Sequence, residues 1–127
     1  VFKIEDVLKD ADVISLHVPL LPSTRHLINE SHLRMMKRTS FIVNTSRGPI
    51  INEADLEKAL REGIIRGAAL DVFESEPKIA RSLRKLPNVV LTPHIGSASE
   101  RARNEMADIV AANVIDFFEG RIPKNIL

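Results

Sequence analysis

Arg47, Asp71, Glu76 and His94 are the residues of this 127-residue chain whose types could do chemistry together. An arginine, carboxylates and a histidine are the parts from which a proton-transfer site is assembled. Each follows a short apolar run. Phe41-Ile42-Val43 leads into Asn44-Thr45-Ser46-Arg47-Gly48-Pro49, and Ala68-Ala69-Leu70 into Asp71-Val72-Phe73-Glu74-Ser75-Glu76-Pro77. Val89-Val90-Leu91 leads into Thr92-Pro93-His94-Ile95-Gly96-Ser97, and Val13-Ile14-Ser15-Leu16 into His17-Val18-Pro19-Leu20-Leu21-Pro22-Ser23-Thr24. If the runs are parallel strands, these segments share the carboxyl rim of one sheet, where open α/β folds bind ligands. Each residue alone also has a plainer reading. Arg47 could be a solvated turn residue, Asp71 a cap on local amides, Glu74 and Glu76 surface charges, and His94 a hydrogen-bonded loop histidine. His17, His26 and His32 read as structural or surface residues, and their spacing suits no metal site.

The elements that must position these residues alternate between strand and helix. The apolar runs start 28, 27 and 21 residues apart, with helical patterns between the earlier ones, which predicts βα units and a parallel sheet. Their nearly continuous apolarity predicts strands covered on both faces. Ile4, Val7, Leu8 and Ala11 predict an amphipathic helix over residues 4–10. Asn29 is placed to cap a short helix carrying Leu33 and Met36. Asn52 is placed to cap a second, with Ile51 and Leu56 as a hydrophobic staple and Gly63 as its stop. Ser97 with Glu100 forms a capping-box pattern before a long helix to about Glu119, closed by Gly120 with Pro123 beyond. Its wide apolar sector, from Met106 to Phe118, predicts packing against more than one surface.

Composition narrows the function classes. The chain is 44% hydrophobic and 28% charged, as in a globular domain. Its 18 Lys and Arg against 17 Asp and Glu give no electrostatic case for nucleic acid. The absence of cysteine excludes disulfides, thiolate metal sites and a cysteine nucleophile. No apolar run is long enough to span a membrane, and the first residues lack a signal-peptide pattern, so a cytoplasmic protein is expected. A start at Val1 rather than Met suggests that an N-terminal part precedes it.

Taken together, Asn44-Thr45-Ser46-Arg47-Gly48, Gly67 through Pro77 and Leu91 through Gly96 resemble the NAD(P)-dependent D-2-hydroxyacid dehydrogenase family. His17-Val18-Pro19-Leu20 and Thr24 through Asn29 match the segment that precedes them in that family. The resemblance implies that Arg47 holds the substrate carboxylate and that His94 exchanges a proton with the substrate oxygen. Glu76, five positions after Asp71, would orient His94 and favour its imidazolium form. Asp71 would meet the nicotinamide end of the cofactor. His17, Pro19, Thr24, Thr45, Ser46, Arg47, His94, Gly96 and Ser97 are the other positions the resemblance assigns to cofactor binding. Two departures stand out: only 17 residues separate Glu76 from His94, and Pro49 follows Gly48 where many relatives carry glycine.

The five glycines, Gly48, Gly63, Gly67, Gly96 and Gly120, include no G-x-G-x-x-G. The expected architecture is therefore α/β, the distal half of a Rossmann-like parallel sheet domain plus a long C-terminal helix. Residues 1–95 would form the distal part of a dinucleotide-binding domain whose glycine-rich half is missing. Residues 96–127 would form a helix and tail returning toward an absent substrate domain. The implied activity is hydride transfer between NAD, with NADP as the other option, and a small 2-keto or 2-hydroxy acid. The expected partners are that substrate and a second copy in a homodimer, with no nucleic acid and no membrane; the isolated chain is expected to be inactive. An NAD-sensing corepressor of the same fold and an inactive truncated scaffold are the alternatives.

Overall fold

The structure, a computed structural model, describes residues 3–125; Val1 and Phe2, on which the expectation about the chain start rests, and the last two residues of the tail lie outside them. The chain divides into two compact units, one ending at His94 and one beginning at Ile95.

In the first unit, β1 (Val13–Leu16), β2 (Phe41–Asn44), β3 (Gly67–Leu70) and β4 (Val89–Leu91) form a parallel sheet in the order β1-β2-β3-β4. The strands correspond closely to the four apolar runs. The register aligns Ile14, Ile42, Ala68 and Val89 in one row and Leu16, Asn44, Leu70 and Leu91 in the next. Both rows lie on the face that forms the core, with Leu8, Leu33, Ile50, Ile51, Leu56, Leu60 and Leu83 packed among them. Each fully buried side chain of this size contributes about 1.5–3 kcal/mol.

The expectation of strands covered on both faces is not met. Val13, Phe41 and Val90 remain 59%, 40% and 64% exposed on the second face. The reason is topological. Parallel crossovers are right-handed, so a sheet whose strands follow one another in sequence order receives all its connections on one side. The uncovered face is a shallow apolar depression of about 530 Å³ in which the Arg66 guanidinium lies 5.6 Å from the centre of the Phe41 ring.

The helices begin and end where local chemistry directs. α1 (Ile4–Asp10) buries Leu8, whereas Val7, expected on its apolar face, is 46% exposed. α2 (Glu30–Met35) is capped by Asn29, whose side chain accepts from Ser31 N and His32 N. In α3 (Glu53–Arg61), Asn52 accepts from Ala54 N and Asp55 N, and Ile51 and Leu56 are both buried beside the cap. Gly63, at φ +64°, ends α3: its N–H reaches Leu60 O at 3.3 Å and that of Ile64 reaches Ala59 O at 2.8 Å. The Asp55 carboxylate accepts from Glu30 N at 2.9 Å and aligns the starts of α2 and α3.

The second unit is dominated by α4 (Glu100–Phe118). Its N-cap is Ser99, whose Oγ accepts from Ala102 N, and not Ser97. A turn closed by Ala98 N to Ile95 O at 2.9 Å takes up Gly96 and Ser97, so the helix starts two residues later than the Ser97-Glu100 pattern implies. Gly120, at φ +72°, closes it as expected. No residue of α4 is buried, and Phe117 and Phe118 are 69% and 82% exposed. No helix among the described residues is long and apolar enough to cross a membrane.

Candidate active site

The carboxyl rim of the sheet is built from loops that hydrogen-bond to one another. After β2, buried Asn44 shapes the turn: its Oδ1 accepts from Ser46 N at 3.1 Å and its Nδ2 donates to Arg47 O at 3.0 Å. Such an Asx turn is a local device that the residue order Asn-Thr-Ser-Arg makes available. Ser46 Oγ donates to Val18 O at 2.5 Å, tying this loop to the one after β1. Arg47 stands in extended conformation before the 3-10 turn Gly48–Ile50, exposed, with Nη1 donating to Ser46 O at 2.7 Å.

Gly48 is where the loops after β2 and β3 meet. A Cβ there would lie 1.9 Å from Phe73 C and 2.0 Å from Phe73 O, so only glycine allows the approach. Beyond it, Asp71 is buried: its N–H donates to Asn44 O at 3.0 Å and its Oδ1 accepts from the Thr92 hydroxyl. This places Asp71 between the ends of β2 and β4.

Glu76 and His94 form the centre of the rim. Glu76 Oε1 accepts from Phe73 N at 2.9 Å, and Oε2 lies 2.8 Å from His94 Nδ1. The bond to His94 comes first among the causes that hold the Glu76 pKa below the ordinary carboxylate value, followed by the Phe73 N–H, with the charge of Arg47 adding to them. Glu76 is therefore ionised at neutral pH, can only accept, and assigns the Nδ1 proton to the imidazole. His94 has φ +55°, a left-handed conformation uncommon for a residue with a side chain. Its ring is 49% exposed. Phe73, Pro77, Ile79 and Pro93 wall a small pocket of about 120 Å³ beside the pair.

The other expected site residues divide into two groups. His17 Nε2 lies 2.8 Å from Ser15 Oγ at the exit of β1. Thr24 Oγ1 donates to Pro19 O at 2.7 Å and accepts from Leu21 N at 2.8 Å, folding the loop after β1. Thr45 is exposed on the loop after β2. Gly96 and Ser97 belong instead to the second unit, in the turn before α4.

Sequence reasoning left several structural partners of the rim unassigned. Asn44 and Thr92 are two. A third group is Glu53, Glu74 and His26: Glu74 Oε1 accepts from Glu53 N at 3.0 Å, the Glu53 carboxylate accepts from Glu74 N, and His26 Nε2 is 3.0 Å from Glu74 Oε1. The Asx turn of Asn44 has a local signal. The others join residues more than 20 positions apart and have none.

Residues 1–96 match the family model described as D-isomer specific 2-hydroxyacid dehydrogenase, NAD binding domain. The chain is 53% identical over 123 residues to a glyoxylate reductase of Thermococcus litoralis, covering 97% of this chain but 37% of that protein. Among solved structures, the TT0316 protein of Thermus thermophilus superposes with a TM-score of 0.93 at 45% identity, over 98% of this chain and 40% of that one. An NADPH-dependent glyoxylate/hydroxypyruvate reductase of Sinorhizobium meliloti, in complex with NADP and malonate, gives 0.87 at 37% identity, over 91% and 36%. With a four-stranded parallel sheet, an imidazole–carboxylate pair on its rim and a family match over residues 1–96, the chain belongs to the D-isomer specific 2-hydroxyacid dehydrogenase family, the match falling in its NAD binding domain.

Proposed function

We propose that this chain supplies the catalytic rim of a reductase acting on a small 2-keto acid, glyoxylate or hydroxypyruvate being the first candidates. The observation that carries the reading is the 2.8 Å contact of Glu76 Oε2 with His94 Nδ1, close enough to Arg47 for its charge to act on Glu76. The side chains present fit the nicotinamide end of NAD or NADP: a buried carboxylate at Asp71, hydroxyls at Thr45 and Ser46, and the His17 and Pro19 segment after β1. The pyrophosphate end has no glycine cradle among the 127 residues. Among the described residues the sheet has no reversal of strand order, and β1 and β4 are its two edges; we assign the missing strands to the β1 edge. Strands joining at that edge would create the crevice where dinucleotides bind. We infer that residues 1–95 are the distal part of such a domain, that residues 96–127 lead toward a substrate domain, and that the complete enzyme self-associates.

Bound NADH or NADPH supplies the hydride. The planar guanidinium of Arg47 makes two parallel bonds to the substrate carboxylate and draws charge from its keto oxygen. With Nδ1–H held by Glu76, His94 presents Nε2 to the keto oxygen and gives up its proton there, taking it back in the oxidative direction. The ionised Glu76 accepts from the Nδ1–H and fixes the orientation of the ring. Asp71, held between the ends of β2 and β4 by Asn44 O and the Thr92 hydroxyl, is the carboxylate we assign to the cofactor side of the rim.

The test is the oxidation of NADH by glyoxylate, followed by absorbance. The complete enzyme should turn over, while the 127 residues alone should bind NADH weakly and turn over negligibly. In the complete enzyme, His94→Asn should lower kcat about 100- to 10,000-fold and change NADH binding little. Robust turnover by the isolated chain, or equal loss of binding and kcat in His94→Asn, would refute the assignment.

A further inference from the structure

Glu53, Glu74 and His26 make up a cluster that the mechanism above does not use, yet it lies directly behind the residues that it does. We propose that Glu74, braced by Glu53, is a positioning residue: it clamps the loops after β2 and β3 so that Glu76 reaches His94 and Arg47 stays beside them. The inference rests on the active-site reading given above.

The geometry is reciprocal. Each glutamate accepts the backbone N–H of the other, Glu74 Oε1 from Glu53 N at 3.0 Å and the Glu53 carboxylate from Glu74 N. Glu53 opens α3, the helix that follows the Arg47 turn, and Glu74 lies two residues before Glu76. The pair thus joins the loop carrying Arg47 to the loop carrying Glu76. His26 adds the third loop. Its backbone adopts φ +51° and its N–H donates to Pro49 O at 2.8 Å; its buried Nε2 lies 3.0 Å from Glu74 Oε1 but makes no hydrogen bond, so the backbone carries the link. Two further bonds run alongside, from Ile28 N to Ile50 O at 3.0 Å and from Asn52 N to Ile28 O at 2.9 Å.

A helix cap alone would not call for this arrangement. Asn52 already serves the amides of Ala54 and Asp55. Placing two carboxylates this close is costly: burial first, then the charges of Glu74 and Glu76, push the Glu53 pKa up against the pull of the Glu74 N–H. A neutral amide at either position would make the same hydrogen bond without like-charge repulsion. The arrangement does provide a rigid connection between two loops whose relative displacement would separate Glu76 from His94. Misplacement of catalytic groups by about 1 Å can cost 100-fold in rate.

Two measurements test this: NMR titration of the Glu76 carboxyl in the 127-residue chain, and steady-state kinetics in the complete enzyme. In Glu74→Ala the Glu76 midpoint should rise toward the ordinary carboxylate value, and kcat should fall about 10- to 100-fold with NADH binding little changed. Glu74→Gln keeps an oxygen for Glu53 N and should restore most of both. Glu74→Asp, one methylene shorter, should behave like Glu74→Ala, and it carries the test if the alanine variant does not fold. An unmoved Glu76 titration and an unchanged kcat in either shortened variant, even with a lowered melting temperature, would overturn the clamp and leave a helix cap. Failure of the underlying active-site reading looks different: His94→Asn would then leave kcat unchanged, while the Glu76 titration would still respond to Glu74.

Discussion

His94 combines a left-handed backbone with a side chain that has to meet Glu76. Such a conformation costs about 1–3 kcal/mol, and a glycine would relieve it at the expense of the imidazole. The neighbouring carboxylates respond to pH with opposite signs. Glu76 has a depressed folded-state pKa, so its contribution to stability is present above the ordinary value of 4.5 and is lost as pH falls through the folded pKa. Glu53 has a raised one, so its contribution is full below 4.5 and is lost as pH rises through the folded pKa. At neutral pH an ionised Glu53 therefore weighs against folding. Glu53→Gln keeps an acceptor for Glu74 N, so it should raise the melting temperature near neutral pH and have no such effect below 4.5. A lower melting temperature at neutral pH would contradict this sign.

Among the elements, the loops are held more tightly than the short strands suggest. Gly48 sits against the Phe73 backbone with no room for a methyl group. Gly48→Ala should therefore destabilise the fold by about 1–3 kcal/mol or more, because backbone rather than a flexible side chain must move. Denaturant unfolding measures the loss, and the Glu76 titration should shift with it as the two loops separate. The element boundaries were largely legible in the residue order. Asn29 and Asn52 cap α2 and α3, and Gly63 and Gly120 end α3 and α4, because each acts through bonds to residues only a few positions away. Ser99 displaced Ser97 as the α4 cap because the turn from Ile95 to Ala98 competes for the same backbone. A pattern of serine and glutamate spacing does not register that competition.

On the largest scale, the dominant feature of the first unit is its one-sided sheet. Val90 and Val13 face outward, whereas Ile42 is fully buried in the adjacent row. Val90→Thr should accordingly change the unfolding free energy by no more than about 0.5 kcal/mol. Ile42→Thr should cost about 2–4 kcal/mol, from lost packing and a buried hydroxyl. Equal losses at both positions would show that the second face is covered in solution.

Apolar runs, helix caps and stop glycines determined the strands, the helices and the rim on which Arg47, Asp71, Glu76 and His94 gather, because those signals act over short stretches of chain. The tertiary structure alone decided that one sheet face of the first unit is exposed and that Glu53 and Glu74 close the loops behind the catalytic pair. The first follows from right-handed crossovers through strands stacked in sequence order. The second depends on register and loop path, which bring together residues that no local pattern connects.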